Sequence, residues 1–276
     1  MATQHVTIAQ DNTSDTTWRA WGSAISAALA ALGTIVQTSD TGQINWATAT
    51  KASGGYEIWR FNDARQSTAP VFIRIDYSSN PQLNFRVGTG TNGAGTLTGA
   101  VNLDANNVTN TTTAYDYYFS STTSRLTAWM GVNDGNAILL TIERSRSNAG
   151  AETGTGIIAL YKGSVHSMIG WITCTADQPS AVVNSSGNWD INIVWPNSST
   201  LIGSQMTAFC INPIGINYQV QNPPLGILLY WPSDLGLAGT LPSVTLYGTA
   251  RTYINPSANP NGFGMVGSAR VMLLYE

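Results

Sequence analysis

The stretch Val71-Phe-Ile-Arg-Ile-Asp-Tyr77-Ser-Ser-Asn-Pro81-Gln-Leu83-Asn-Phe85-Arg-Val87 decides the fold class. Val71, Ile73, Ile75 and Tyr77 alternate with Phe72, Arg74 and Asp76; Leu83, Phe85 and Val87 alternate with Asn84 and Arg86. A period of two places each set on one face of an extended chain, so both runs read as half-buried strands. Ser78 to Pro81 supplies turn formers between them. The pair therefore predicts an antiparallel hairpin whose Val71/Ile73/Ile75 and Leu83/Phe85/Val87 faces enter one core. Just upstream, Tyr56 and Ile58 continue the alternation, with Glu57 expected on the outer face.

Working outward, further strands are expected at 115–119, 125–132, 137–143, 156–161, 165–174, 189–195, 205–211, 226–231, 244–249 and 269–275, with Asn133-Asp-Gly-Asn136 as a hairpin turn. One segment has helical spacing instead: Trp18, Trp21, Ile25, Leu29 and Leu32 form a stripe over 16–32, with Ser14 or Asp15 as N-cap and Gly33 for the left-handed stop. Ala24, Ala27, Ala28, Ala30 and Ala31 make its other side small, which suits close packing on a sheet or a neighbour. The polar residues before Asp15 are expected to reach toward another chain. The resulting expectation is a mainly β protein, an antiparallel β-sandwich of jelly-roll-like architecture with one N-terminal amphipathic helix. It divides into residues 1–50 (N-terminal arm, helix and attachment segment), 51–165 (β-sandwich domain) and 166–276, a second β-rich region either separate from the first or continuous with it.

Composition narrows the function. Charged residues are 10% of the 276, against roughly 25% in ordinary soluble proteins, and the only lysines are Lys51 and Lys162. A net charge of −3 gives no field for nucleic acid or an anionic membrane, and no apolar run is long enough for a membrane-spanning helix. The first residues lack a basic and an apolar region, so no signal peptide is expected. A surface with little charge repulsion favours assembly of copies, with the final third expected to supply more contact than the hairpin because its loops are longer and its alternation less regular.

The candidate chemical groups each have a bland explanation. Gly88-Thr-Gly-Thr-Asn-Gly-Ala-Gly95 is glycine-rich, yet it lacks the Gly-Lys-Ser/Thr ending and a following helix, so it reads as a surface loop and not a phosphate cradle. His5 and His166 have no metal-ligand spacing, and no Gly-x-Ser-x-Gly elbow is present. Asp76, Asp116 and Glu143 are the nearest candidates for a glycosidase acid pair, but they fall on different strands. Trp129, Trp171, Trp189, Trp195 and Trp231 suit either a sandwich core or contact with sugar rings. Cys174 and Cys210 read as two buried thiols, with an internal disulfide as the alternative. No catalytic, cofactor-binding or metal-binding residue is assigned, no cofactor is expected, and the chain reads as a non-enzyme.

The segments Asp15-Thr-Thr-Trp-Arg-Ala-Trp-Gly-Ser-Ala-Ile25, Asp40-Thr-Gly-Gln-Ile-Asn-Trp46, Tyr56-Glu-Ile-Trp-Arg-Phe-Asn-Asp63, Pro70-Val-Phe-Ile-Arg-Ile-Asp-Tyr77, Val87-Gly-Thr-Gly-Thr-Asn-Gly-Ala-Gly95 and Asn136-Ala-Ile-Leu-Leu-Thr-Ile-Glu-Arg-Ser145 resemble a group of tailed-bacteriophage virion proteins. The resemblance covers the chain through about residue 145. It implies a structural virion component present in several copies, by analogy with tail symmetry a trimer or hexamer, assembled in the bacterial host cytoplasm beside other virion proteins, tail- or baseplate-associated. The alternatives it leaves are a capsid-surface or decoration protein and a receptor-binding tip module that contacts a host-surface glycan. It implies no catalytic residue.

Overall fold

The alternation at 71–87 is realised, in a computed structural model, as the expected hairpin. Ile73 lies opposite Val87, Ile75 opposite Phe85 and Tyr77 opposite Leu83, and all six are buried. The structure describes residues 1–107, 111–130, 138–146, 152–162, 168–173, 181–183, 201–202, 206–210, 227–232, 243–246, 249–254 and 270–275. The expected turn at 133–136 and strand at 189–195 lie outside these residues.

In chain order the elements are β1 (Ala2–Ala9), α1 (Asp15–Ala31), β2 (Ile35–Gln37), β3 (Gly55–Phe61), β4 (Phe72–Tyr77), β5 (Gln82–Gly88), β6 (Gly90–Thr91), β7 (Leu97–Thr98), β8 (Val101–Asn107), β9 (Ala114–Thr122), β10 (Arg125–Met130), β11 (Ile138–Arg146), β12 (Glu152–Lys162), β13 (Met168–Thr173) and β14 (Ala181–Val183). They continue with β15 (Leu201–Ile202), β16 (Met206–Cys210), β17 (Ile227–Pro232), β18 (Ser243–Leu246), β19 (Thr249–Ile254) and β20 (Arg270–Leu274). The protein is mainly β, and its sheets are antiparallel. A five-stranded sheet has the order β2-β3-β4-β5-β8, a seven-stranded sheet β1-β9-β10-β11-β12-β13-β14, and a six-stranded sheet β15-β16-β17-β20-β19-β18. β6 and β7 form a small ribbon of their own.

Helix α1 starts where capping chemistry dictates. The Ser14 hydroxyl accepts from the Thr17 N–H while the Thr17 hydroxyl accepts from the Ser14 N–H, a reciprocal capping box. Gly33, at φ 67°, follows the last turn. Trp18, Trp21, Ile25, Ala28, Leu29 and Leu32 join one apolar cluster with Trp59, Phe61, Ile73, Ile75 and Phe85 of the five-stranded sheet and with Tyr117, Phe119, Leu126, Leu140 and Ile142 of the seven-stranded sheet. The core therefore lies among the helix and two sheets. β10 is buried on both sides, with β20 packed beside it. Of the alanines, only Ala28 turns inward; Ala27, Ala30 and Ala31 are exposed.

Two expectations need correction. Residues 2–9 do not form an outreaching arm: β1 pairs along its length with β9, from Ala2 opposite Ser121 to Ala9 opposite Ala114. Val6 and Ile8 pack on the core, and buried Gln10 donates its side-chain N–H to the Tyr117 hydroxyl. On β3 the expectation fails for Glu57, which is buried with Trp59 and Phe61 on the face those two rings carry into the core, while on the other face Ile58 is buried as expected and Tyr56 is half-buried. β12 pairs with β13, and β13 with β14, in the same sheet.

Candidate functional site

The outer face of the five-stranded sheet carries the polar residues that the hairpin alternation sends away from the core. Strand register brings Tyr56 opposite Asp76, Asp76 opposite Asn84, and Arg74 opposite Arg86. Two arginines directly opposite each other repel, and Asp76 offsets that repulsion for both. Arg74 Nε donates to Asp76 Oδ1 at 2.8 Å, and Arg86 Nε lies 3.3 Å from Asp76 Oδ2. Arg74 also donates to the Gly95 carbonyl and lies flat over Tyr56, 4.0 Å from the ring centre. Beside this group a groove of about 540 Å³ opens, lined in part by Ser53, Gly54, Arg74, Asp76, Gln82 and Asn84. Gly54 has φ 60°, and a Cβ there would meet the Tyr77 carbonyl oxygen at 2.6 Å, so glycine is required at this wall.

Asp40 fastens the glycine-rich segment to the same sheet. Its carboxylate accepts from the Thr91 hydroxyl, from the Thr38 hydroxyl at 2.7 Å and from the Gly95 N–H at 3.3 Å. Burial pushes the Asp40 carboxyl up, but the Thr91, Thr38 and Gly95 donors outweigh it, so the group titrates below the ordinary 3.8. The segment is thus a folded loop tied at both ends, with the β6–β7 ribbon at its base.

A second polar cluster is internal. Glu57 is 1% exposed and its carboxylate is surrounded by donors: Ser26 Oγ at 2.6 Å, Trp46 Nε1 at 2.9 Å, Tyr77 Oη at 2.8 Å and Trp59 Nε1 at 3.4 Å. Burial, the Glu57 charge and the hydrogen bond to it together raise the Tyr77 hydroxyl far above its usual range, keeping it a donor. Trp46 lies over Gly22, where a Cβ would sit 2.0 Å from its ring. This cluster joins helix, loop and sheet.

The sequence-derived acids do not converge on one site. Asp76 belongs to the arginine group. Asp116 on β9 holds His5 at 2.8 Å and accepts from the Thr7 hydroxyl at 2.6 Å, at a half-exposed surface position where the His5 ring stacks on Tyr118. Burial raises the Asp116 carboxyl and the Thr7 and His5 contacts lower it further, for a net downward shift. Glu143 is buried on β11 and accepts from the Thr141 hydroxyl. Trp129 is buried, and among the described residues no tryptophan is exposed. The side chains of Trp171 and Trp231, and Trp189, Trp195, His166 and Cys174 altogether, lie outside the described residues. Among the described residues no group of three or more His, Cys, Asp or Glu could hold a metal ion.

The sequence marks Asp40, with Gly42, as turn chemistry at 38–42 but not its tie to Thr91 and Gly95, and it carries no local signal for the buried carboxylate of Glu57 or the anchoring role of Arg74. The chain matches no protein family, no curated protein and no solved structure.

Proposed function

We propose that this chain is a non-enzymatic structural component of a bacteriophage virion, tail- or baseplate-associated, assembled in the host cytoplasm as a homo-oligomer among other virion proteins. The observation that carries the reading is the resemblance of six segments through residue 145. Those same segments supply α1, the Asp40–Trp46 tie, β3, β4, the glycine loop and β11, so the resembling residues are the frame of the described body. The acids weighed for hydrolysis are engaged in separate structural ties, which supports a frame over an active site. The sheets stacked around one cluster support the finer reading of a β-sandwich of jelly-roll type.

Oligomerisation has its own support. β1 stands at the edge of the seven-stranded sheet with eight residues in unbroken register and contains no proline, lysine or carboxylate. Such an edge is a template for strand addition unless something blunts it, and a trimer or hexamer would cover it.

Immunogold electron microscopy of gradient-purified particles, with antibodies to this chain, tests the reading. Labelling on the tail or baseplate is expected. Labelling over the head would favour a capsid-surface protein, and labelling at fibre tips a receptor-binding module. Absence from particles, with the protein recovered free in the lysate, would refute the virion assignment.

A further inference from the structure

We propose that the groove on the outer face of the five-stranded sheet binds a neutral saccharide. The site stands independently of the virion reading, because it rests on the groove alone.

The charges along the groove are matched in sign, although Asp76 Oδ2 and Arg86 Nε have no hydrogen-bond partner among the described residues. Arg74 gives Nε and Nη2 to Asp76, Nη1 to the Gly95 carbonyl and its flat face to Tyr56. Arg86 stands against the remaining Asp76 oxygen. A phosphate or carboxylate ligand needs a cation free to bind it bidentately, whereas Arg74 has committed three of its five N–H groups, and the adjacent Asp76 Oδ2, which accepts no hydrogen bond among the described residues, repels an anion and suits a sugar hydroxyl. An apolar ligand needs exposed aromatic or aliphatic walls, whereas the Tyr56 ring is covered by Arg74. The groove also offers a ligand neutral polar groups: the Ser53 hydroxyl, which accepts from the Thr50 hydroxyl and keeps its own proton to donate, the Gln82 amide, whose oxygen accepts from the Ser78 hydroxyl, the Asn84 amide and the backbone at Gly54.

Amides and hydroxyls offer donors and acceptors side by side, and sugar hydroxyls present the same alternation in return. Asn84 shows the unmet half of this pairing. Its Oδ1 is buried and accepts no hydrogen bond among the described residues, a state that native proteins seldom leave uncompensated. A ligand hydroxyl supplies the missing donor once the amide turns toward the groove. Asp76, opposite Asn84 in the register, is held by two arginines, so the floor beneath that amide is rigid before a ligand arrives. Gly54 keeps the wall free of a side chain, and about 540 Å³ lies within the ordinary range of small-ligand pockets.

The test is a microarray of neutral and acidic oligosaccharides probed with the labelled full chain, wild type beside Ser53→Trp and Asn84→Leu. Ser53 is exposed at the rim, so Ser53→Trp fills the groove without touching the core, and a matching melting curve verifies its fold. Expected are binding to a subset of neutral glycans, about tenfold or greater loss in each folded variant, and no competition from excess inorganic phosphate. Binding of no neutral glycan, undiminished binding by Ser53→Trp, or displacement by phosphate would each overturn the proposal. None of these outcomes alters where the chain sits in a particle, so the saccharide site and the virion assignment fail separately.

Discussion

Removing the Glu57 carboxylate should be among the costliest single changes in this fold. Glu57→Ala leaves Tyr77 Oη and Trp59 Nε1 without their acceptor in a fully buried setting, and Ser26 Oγ and Trp46 Nε1 without theirs in a half-buried one. An orphaned buried donor costs about 1–3 kcal/mol, and a half-buried one less because water can reach it. Tyr77 alone therefore accounts for about 2 kcal/mol, the long Trp59 contact adds little, and the two half-buried donors add about 1 kcal/mol between them. Relief of burying a charge works in the opposite direction, and the cavity left by the shortened side chain adds to the loss. The net expectation is about 3 kcal/mol.

Glu57→Gln separates these contributions. It keeps the volume and one acceptor oxygen but turns an amide N–H₂ toward a site already crowded with donors, so about 1–2 kcal/mol should be lost. Urea unfolding at constant temperature, followed by tryptophan fluorescence, reads both variants, since Trp18, Trp21, Trp46 and Trp59 lie in or beside the cluster. Combining Glu57→Gln with Tyr77→Phe should show a coupling of at least about 0.5 kcal/mol. A loss below about 1 kcal/mol for Glu57→Ala, or equal losses for Ala and Gln, would mean that the carboxylate does not organise the helix–sheet junction.

Other expectations follow from the same ties. Because Asp40 titrates below its ordinary 3.8, its contribution is present above the unfolded value and lost as pH falls through the folded one; amide exchange at Gly95 should accelerate below about pH 4, and a flat profile would contradict the tie. Arg144 is 1% exposed and donates to Asp63 at 2.9 Å and to the Ala69 carbonyl, so Arg144→Ala should cost about 3–5 kcal/mol in denaturant unfolding, and a loss under 1 kcal/mol (roughly the range of an exposed pair) would show that the pair is idle. Deleting residues 1–10 removes β1 and uncovers Tyr117 and Phe119; the melting temperature should fall by about 10 °C or more, whereas an unchanged melt with lost particle incorporation would restore the attachment-arm reading.

What was legible in the sequence was whatever repeats locally. The 71–87 hairpin could be read because both strands keep a strict period of two across a four-residue turn, and α1 because its cap, stripe and stop lie within one window. β1 has a period too, with Ala2, Val6 and Ile8 inward and Thr3, His5 and Thr7 outward, but its partner β9 is more than a hundred residues away. Nothing local distinguishes such a strand from a polar arm. Glu57 was placed outside because a carboxylate normally marks the solvent side. It faces inward because Ser26, Trp46 and Tyr77, from three other places in the chain, converge on it together with Trp59 of its own strand.

The sparse charge has a structural counterpart. Asp76 is held between Arg74 and Arg86, Asp63 meets Arg144, Asp116 meets His5, and Asp15 accepts from the Lys51 N–H while Lys51 Nζ donates to the Asn12 carbonyl. Among the described residues, the Arg86–Asp76, Arg144–Asp63, His5–Asp116 and Lys51–Asp15 contacts each join segments separated in sequence. A surface made this way carries Ser, Thr, Asn and Gln where an ordinary soluble protein carries Lys and Glu, so copies approach without strong repulsion and their contacts change little with salt. Hydrophobic anchors cannot drive such contacts over the described surface, where Met1 is the one exposed large apolar residue. On the proposed homo-oligomer reading, contacts over the described surface would rely on backbone pairing and uncharged hydrogen bonds, which the β1 edge offers. Thr7→Lys, placed at an exposed position of that strand, should therefore weaken self-association more than 0.5 M added salt does (about a 4 Å screening length), and sedimentation velocity showing the reverse order would assign assembly to charge instead of strand pairing.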